Sequence, residues 1–246
     1  MTMKRFSTYA KRRFKSLSDH LDNYAHKPRP ELLHKVRLLI KEIKALLNAS
    51  AFCVEGFNAR QRFRPFRSIF RMAGEIRQAE VLDELFRIYK INTEDVAKSK
   101  ILSADRNLVS LFQKRLPEFI LATEDNQEKI IDSIKNVRYS CFKKYLNRKK
   151  REVKKELFPQ LNKRDLHDTR KMLKEIIFLS PMAKKTREKL DPFYDKLQAL
   201  IGQWHDKQTV LMLLKTPKKS FALGQVKKEC RNELLEIKDL VCQFYG

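Results

Sequence analysis

The stretch LHKVRLLIKEIK, residues 33–44, is repeated as LHDTRKMLK at residues 166–174. Both copies place a His, an Arg and a Lys at positions i, i+3 and i+7, namely His34, Arg37 and Lys41 in the first and His167, Arg170 and Lys174 in the second. At about 100° per residue, this spacing puts the three side chains in one helical stripe roughly 60° wide. The apolar residues of each copy fall on another face. We therefore predict two amphipathic helices, each with a core-facing side and a cationic stripe that Lys44 extends in the first copy.

Further matches flank both copies of this motif. Upstream, Phe6-x-x-Tyr9-x-x-Arg12-Arg13 corresponds to Phe142-x-x-Tyr145-x-x-Arg148-Lys149, and downstream Gly74 corresponds to Gly202. The separation between matched blocks shortens in steps along the chain, as shorter loops between equivalent helices would give. Both glycines interrupt helical patterns at a cost of about 1 kcal/mol relative to Ala, which predicts a close helix approach at each. We predict one domain over 1–246, built from two similar halves, 1–124 and 125–246.

The composition favours an all-α protein. The 246 residues include only five Gly and eight Pro, and no apolar alternation of strand length stands out. A chain of this length can bury a substantial core. Helices are predicted over the approximate ranges 4–24, 30–50, 58–90, 95–122, 126–157, 163–179, 192–214 and 220–244, and the fourth is interrupted late by Pro117.

The charge balance predicts an anionic partner. Lys and Arg number 54 against 30 Asp and Glu, which gives a formal net charge of +24. Such a charge raises the free energy of the compact state and attracts polyanions. Two basic ladders at i, i+4, i+7 and i+11 add to the cationic stripes: Arg60, Arg64, Arg67 and Arg71, then Lys144, Arg148, Arg151 and Lys155. Pro65 either kinks the first of these helices or marks its first turn.

The four cysteines, Cys53, Cys141, Cys230 and Cys242, form no C-x-x-C motif and no metal-ligand group with His. Scattered thiols in a chain of this length favour a reducing compartment and small buried side chains. No run of 18 apolar residues predicts a membrane span. Residues 1–15 lack the apolar segment of a secretory signal. The cytoplasm is therefore the predicted location, and no cofactor or metal is predicted.

The paired H-x-x-R-x-x-x-K and G-x-x-x-[D/Q]-x-x-V helices resemble the CHAD family, the conserved histidine α-helical domain, over nearly the full chain. The resemblance implies two four-helix halves related by a pseudo-twofold axis around a basic central groove that binds inorganic polyphosphate without catalysis. It also implies a link to polyphosphate granules as one possible location. With the other basic residues on matched or shared faces, the predicted binding residues are Arg12, Arg13, His34, Arg37, Lys41, Lys44, Arg64, Arg67, Arg71, Arg148, Lys149, His167, Arg170, Lys174, Lys196 and Lys207.

The sequence departs from the family pattern in two places. Asp206 follows the second glycine by four residues as in the family, whereas Gln78 takes that position in the first half. Ile177 stands opposite Lys44, so the first cationic stripe is the richer one. The chain also lacks the E-x-E-x-K signature of the triphosphate-processing domain that is fused to some relatives. Equal contributions from the two halves are therefore an open question.

Two other functions remain open at the level of sequence. Nucleic-acid binding shares the phosphate chemistry, but no helix-turn-helix, zinc-finger or RNP motif occurs, and the aromatic residues follow the apolar faces. A metal-dependent phosphohydrolase is suggested by the dipeptides His167-Asp168 and His205-Asp206. Adjacent helical residues point about 100° apart, however, and no further acidic cluster supplies ligands. Polyphosphate binding is the preferred interpretation, and the oligomeric state is not predicted.

Overall fold

The structure is a computed structural model that describes residues 4–91, 100–183, 190–213 and 221–246. All regular secondary structure in these ranges is helical, so the predicted all-α class is confirmed. The helices are α1 (Lys4–His26), α2 (Pro30–Cys53), α3 (Ala59–Arg62), α4 (Arg67–Ile88), α5 (Lys100–Lys114), α6 (Leu116–Ile134), α7 (Tyr139–Leu157), α8 (Leu166–Ala183), α9 (Pro192–Leu213) and α10 (Phe221–Tyr245). A 3₁₀ turn, Arg64–Phe66, precedes α4.

Four of the predicted helices differ from the structure at their boundaries or breaks, and prolines explain three of these differences. Pro117 lies in the first turn of α6, where its missing N–H leaves no bond unmade. The break therefore falls before Leu116, and α6 continues across residue 124, the predicted boundary of the halves. Residues 135–138 separate α6 from α7, so the single helix predicted over 126–157 does not form. At the end of α8, Pro181 is accommodated within the last turn, and the helix reaches Ala183 rather than stopping at 179.

The helix predicted over 58–90 is also divided. Asn58 caps the short α3 by accepting a hydrogen bond from the backbone N–H of Gln61 at 3.0 Å. Pro65 then falls in the 3₁₀ turn, because proline cannot donate the bond that a continuous α-helix would need. The ladder of arginines predicted on one helix thus spans α3, the 3₁₀ turn and the start of α4.

The chain contains two compact units, each assembled from separate stretches. Unit 1 comprises 1–78, 104–147 and 178–187, and unit 2 comprises 79–103, 148–177 and 188–246. In unit 1, α1 and α2 bury aromatic and aliphatic residues such as Phe6, Phe14 and Ile40. The main core of unit 2 includes Leu173 and Trp204. The predicted core role of the aromatic residues is confirmed at these positions, and the duplication into halves stays a prediction.

Candidate anion-binding site

In unit 1, Arg37 from the cationic stripe of α2 docks on α4 at Gly74. Its Nη1 donates a hydrogen bond of 2.8 Å to the carbonyl oxygen of Phe70, and its guanidinium carbon lies 4.7 Å from the centre of the Phe70 ring. A Cβ placed on Gly74 would overlap Nη1 and would lie 3.2 Å from Cζ of Arg37. The glycine therefore makes room for the guanidinium. The neighbour of Gly74 is thus a side chain, and the close helix approach predicted there stays a prediction.

Unit 2 contains the same docking arrangement between α8 and α9. Arg170 Nε donates to the carbonyl oxygen of Gln198 at 3.2 Å, and a Cβ on Gly202 would lie 2.8 Å from Cζ of Arg170. In both units the acceptor carbonyl belongs to the residue four positions before the glycine. The neighbour of Gly202 is therefore also an arginine side chain. We name each arrangement, Arg37 on Gly74 and Arg170 on Gly202, an Arg–Gly dock.

Docking holds two cations in half-buried positions. Burial lowers the pKa of Arg37, and the neighbouring charge of Arg77 lowers it further. Burial also lowers the pKa of Arg170, although the carboxylate of Asp206 acts in the opposite direction. A guanidinium remains protonated despite such effects. Each dock therefore fixes a charged fork on its backbone carbonyl, which limits the reach of that arginine toward a ligand.

The other cations of the first repeat border the contact between α2 and the segment that leads into α4. Lys44 Nζ lies 5.2 Å from the centre of the Phe63 ring, while Arg37 seven residues earlier contacts Phe70. Contacts thus move backward along the second segment as they move forward along α2, so the two run antiparallel. Over these seven residues α2 rises about 10 Å. Lys41 lies between Arg37 and Lys44 and is half-buried.

The arginine ladder follows this same contact. Arg67 and Arg71 precede Gly74 by seven and three residues, a helical spacing that puts them on the face that receives Arg37. Arg64 precedes Arg67 by three residues through the 3₁₀ turn, where side chains at i and i+3 eclipse. We call this strip the basic seam, and its residues are Arg37, Lys41, Lys44, Arg64, Arg67 and Arg71.

The ladder part of the basic seam presents its charge to solvent. Arg64, Arg67 and Arg71 are exposed, as is Lys44. Arg67 Nη2 donates to the carbonyl oxygen of Arg60 at 3.4 Å, a contact that leaves its net charge intact. No carboxylate pairs with these three arginines or with Lys44 in the part of the chain that the structure describes. The seam is therefore a concentrated row of positive charge.

The remaining predicted residues of unit 1 differ in their surroundings. His34 and Arg12 are exposed. Arg13, in contrast, forms an ion pair of 3.1 Å with the buried carboxylate of Glu42, which also accepts a hydrogen bond of 2.7 Å from the hydroxyl of Tyr9. Burial and the charge of Glu42 raise the pKa of Tyr9. Arg13 therefore neutralises an internal carboxylate, a structural contribution that the sequence pattern does not reveal.

The glycine helix of unit 2, α9, has no arginines at the positions that correspond to Arg67 and Arg71. The residues seven and three positions before Gly202 are Asp195 and Ala199, where the first repeat has two arginines. Lys174 is half-buried on α8. Lys196 lies 3.6 Å from Glu236, and Lys207 pairs with Glu229 and Glu233. The positive charge of these two lysines is thus offset locally.

The predicted pair Arg148 and Lys149 also meets an acidic partner. Arg148 Nε lies 2.8 Å from Glu152, and Lys149 Nζ lies 2.9 Å from the other oxygen of the same carboxylate. Burial raises the pKa of Glu152, but the hydrogen bonds from Lys149 and Arg148 lower it more. These two residues are therefore less suited to hold an external anion than the basic seam is.

The exposed His167 stacks on a second histidine, His205. The ring centres are 4.8 Å apart and the rings are inclined by 27°. Burial lowers the pKa of His167, and the charges of Lys171 and His205 lower it further. Nδ1 of His205 lies 3.6 Å from Asp206. The histidine rings of the two His-Asp dipeptides thus lie against each other. The lowered pKa of His167 favours its neutral form, which can donate or accept a hydrogen bond.

Two positions near the docks are absent from the predicted binding residues. His205 and Arg77 each follow the docking glycine by three residues, so a comparison of the glycine helices by spacing was the signal that could have found them. Within the described ranges, no three His, Cys, Asp or Glu residues cluster as metal ligands. Among the helices that the structure describes, none is both long enough and apolar enough to cross a bilayer.

Comparison with known proteins gives a structural match. No protein-family model matches the sequence. No curated protein sequence matches it either. The fold is similar to the solved structure of PptA from Streptomyces chartreusis, with a TM-score of 0.62 and 11% sequence identity over 98% of both chains. At that identity the likeness defines a shared fold over nearly the whole chain and nothing finer.

Proposed function

We propose that this protein binds inorganic polyphosphate at the basic seam of unit 1 and does not alter it chemically. The observation that carries the proposal is the exposed row of Arg64, Arg67 and Arg71 beside Lys44, with no carboxylate partner in the described residues. A row of cations with no local counter-charge is costly for the fold, since like charges repel. An anionic ligand that spans the row removes this cost.

The chemistry of the row suits a linear phosphate polymer. Polyphosphate offers phosphate oxygens along its length and has no bases to be recognised. Arg supplies a planar fork that matches two such oxygens, and Lys supplies a mobile point charge. The residues of the seam lie on two antiparallel segments, which can contact a chain from both sides. The sequence resemblance to the CHAD family supports the same ligand.

Nucleic acid is the principal alternative, because its backbone carries the same phosphates. Sequence-tolerant binding of single strands relies on aromatic platforms that stack on bases. The aromatic rings at the seam are Phe63, 8% exposed, and Phe70, which is half-buried, and cations already contact both. These rings are poorly placed to accept a base. The surroundings of the seam therefore favour a ligand recognised through phosphates alone.

Calorimetric titration with polyphosphate of defined length, against an RNA of equal charge, tests the proposal. The double variant Arg67→Ala with Arg71→Ala should weaken polyphosphate binding by about tenfold or more, because each charge-assisted bond contributes about 1.5–3 kcal/mol and tenfold corresponds to 1.4 kcal/mol. The salt dependence should also become shallower by about 1 to 2 in log–log slope.

A matched control removes two exposed lysines of unit 1 that lie on other helices, Lys114→Ala on α5 and Lys129→Ala on α6. This variant loses the same net charge, so equal weakening in both would reduce the effect to overall charge and refute the seam. Tighter binding of the RNA would support the nucleic-acid alternative. Release of orthophosphate on addition of Mg²⁺ or Mn²⁺ would contradict the non-catalytic part of the proposal.

A further inference from the structure

Two of the four cysteines meet in unit 1, although they are far apart in sequence. Cys53 ends α2 and Cys141 lies in the first turn of α7. The sulfur of Cys141 lies 3.8 Å from the carbonyl oxygen of Phe52, the residue before Cys53. The rings of Phe52 and Tyr145 pack at 5.5 Å between centres and hold the two helices together at this point. Both thiols are half-buried rather than buried, which corrects the prediction of buried cysteines for this pair.

A cavity gives small molecules access to both sulfurs. Its volume is about 420 Å³, and its lining includes Cys53, Cys141, Arg138 and Lys144. The cavity is larger than a water molecule needs, and its lining has two cations, Arg138 and Lys144, against one carboxylate, Glu55. A small anionic disulfide could therefore enter and reach either thiol. The other cysteines of the chain do not share this setting, because Cys230 is buried and Cys242 is exposed on α10.

We propose that Cys53 and Cys141 form a reversible redox dithiol, which a low-molecular-weight disulfide of the glutathione class converts to an intramolecular disulfide that joins α2 to α7. One protein thiolate attacks the small disulfide, so its S–S bond breaks, a mixed disulfide forms and one small thiolate leaves. The second protein thiolate then attacks the protein sulfur of the mixed disulfide and expels the other small thiolate. The protein loses two electrons and two protons, which the reagent gains as two thiols.

The reduced pair is protected at neutral pH. Burial raises the pKa of Cys53, and its hydrogen bond with Cys141 raises it further. Because the thiolate is the attacking species, oxidation should be slow at neutral pH and should accelerate as the pH rises. Once formed, the bond would close a long loop between α2 and α7, and such bonds stabilise the fold. The expected shift is a melting temperature that is higher by several degrees in the oxidised protein.

Maleimide labelling of the full chain after equilibration with oxidised glutathione tests this inference independently of any polyphosphate assay. Two of the four thiols should lose reactivity, the mass should fall by about 2 Da for the two hydrogens lost, and a reducible peptide pair should contain Cys53 and Cys141. Cys53→Ser or Cys141→Ser should abolish the change. The control Cys242→Ser should retain it.

Four outcomes would overturn the inference. Persistence of four reactive thiols would show that the sulfurs do not bond. A stable mixed disulfide with glutathione on either residue would show that the second thiol fails to attack. Loss of the product in Cys242→Ser would show that Cys242 supplies one of the sulfurs. Near-ultraviolet and far-ultraviolet circular dichroism of each serine variant separates a chemical effect from unfolding, and a folded Cys141→Ser that still loses two thiols refutes the assigned pair.

Discussion

Replacement of Gly202 by Ala tests whether the Arg–Gly dock holds unit 2 together. In an ordinary helix interior this substitution stabilises by about 1 kcal/mol, because Ala has the higher helix propensity. At Gly202 the new Cβ would lie 2.8 Å from Cζ of Arg170, which must then move. The substitution should therefore destabilise the protein. The sign of the change in stability, rather than its size, distinguishes an ordinary helix glycine from one that accommodates Arg170.

The expected magnitude follows from the contacts of Arg170. Displacement of the guanidinium loses the charge-assisted hydrogen bond to the carbonyl of Gln198, which contributes about 1.5–3 kcal/mol. If the side chain stays instead, overpacking costs about 1–3 kcal/mol. Subtraction of about 1 kcal/mol for the gain in helix propensity leaves a net loss of about 1 kcal/mol. For a chain of this size, that corresponds to a melting temperature lower by about 2–4 °C.

Urea denaturation followed by tryptophan fluorescence provides a local assay. Trp204 is the only tryptophan, belongs to the core of unit 2 and lies two residues after Gly202. The matched control is Gly224→Ala on α10, where a new Cβ would meet no atom within 4 Å. The control should be neutral or stabilising by up to about 1 kcal/mol. A Gly202→Ala protein more stable than wild type would refute the dock.

A double-mutant cycle isolates the contact itself. In an Arg170→Ala background, the space above Gly202 is empty, so Gly202→Ala should become stabilising by about 1 kcal/mol. The coupling energy between the two positions should then be about 2 kcal/mol. Coupling near zero would mean that the two residues act independently. At Gly74 the corresponding Cζ is at 3.2 Å, so the same experiment with Arg37 should give the smaller effect.

Two further predictions concern titratable groups of unit 2. The folded state lowers the pKa of His167 below its ordinary 6.5, so the unfolded chain binds more protons in this pH range. The free energy of unfolding should therefore fall as the pH drops from about 7 through the region below 6.5. The variant His167→Gln should flatten this dependence in urea titrations at several pH values. Tyr89→Phe removes the hydrogen bond from the phenol to Glu229 and should cost about 1 kcal/mol in the same assay, whereas an unchanged midpoint would show that Gln225 and Lys207 suffice for that carboxylate.

The helical periodicity of apolar residues was sufficient to predict the all-α class and several of the helices. The apolar faces of α1, α2 and α8 were readable because each helix buries one side. The docking glycines could also be identified, because Gly74 and Gly202 interrupt strong helical patterns, and a glycine inside a helix is unfavourable unless a close neighbour requires it. Chain breaks were the weak point. Pro117 begins α6 whereas Pro181 ends a turn inside α8, and local sequence does not distinguish these two uses of proline.

The basic residues of the candidate site could be identified from the sequence, but their carboxylate partners could not. A helical stripe identifies which cations share a face, yet it cannot show which of them meet carboxylates from distant positions. Glu42 is 33 residues from Tyr9 and meets it at 2.7 Å. Glu233 is 26 residues from Lys207 and pairs with it. Pairings of this kind depend on tertiary packing, so Arg13 and Lys207 looked equivalent to Arg67 until the fold was known.

A comparison of the two repeats distinguishes the Arg–Gly dock, which both contain, from the arginine pair that precedes the glycine and supplies additional positive charge, which only one contains. Both units contain an Arg–Gly dock with its carbonyl acceptor four residues before the glycine. Only the first repeat has arginines seven and three residues before the glycine, at Arg67 and Arg71, where the second has Asp195 and Ala199. If the dock itself captured the anion, both units would present equivalent sites. Since the arginine pair before the glycine occurs in one repeat only, binding should be asymmetric, and substitution of Arg67 should weaken it more than substitution of Lys174.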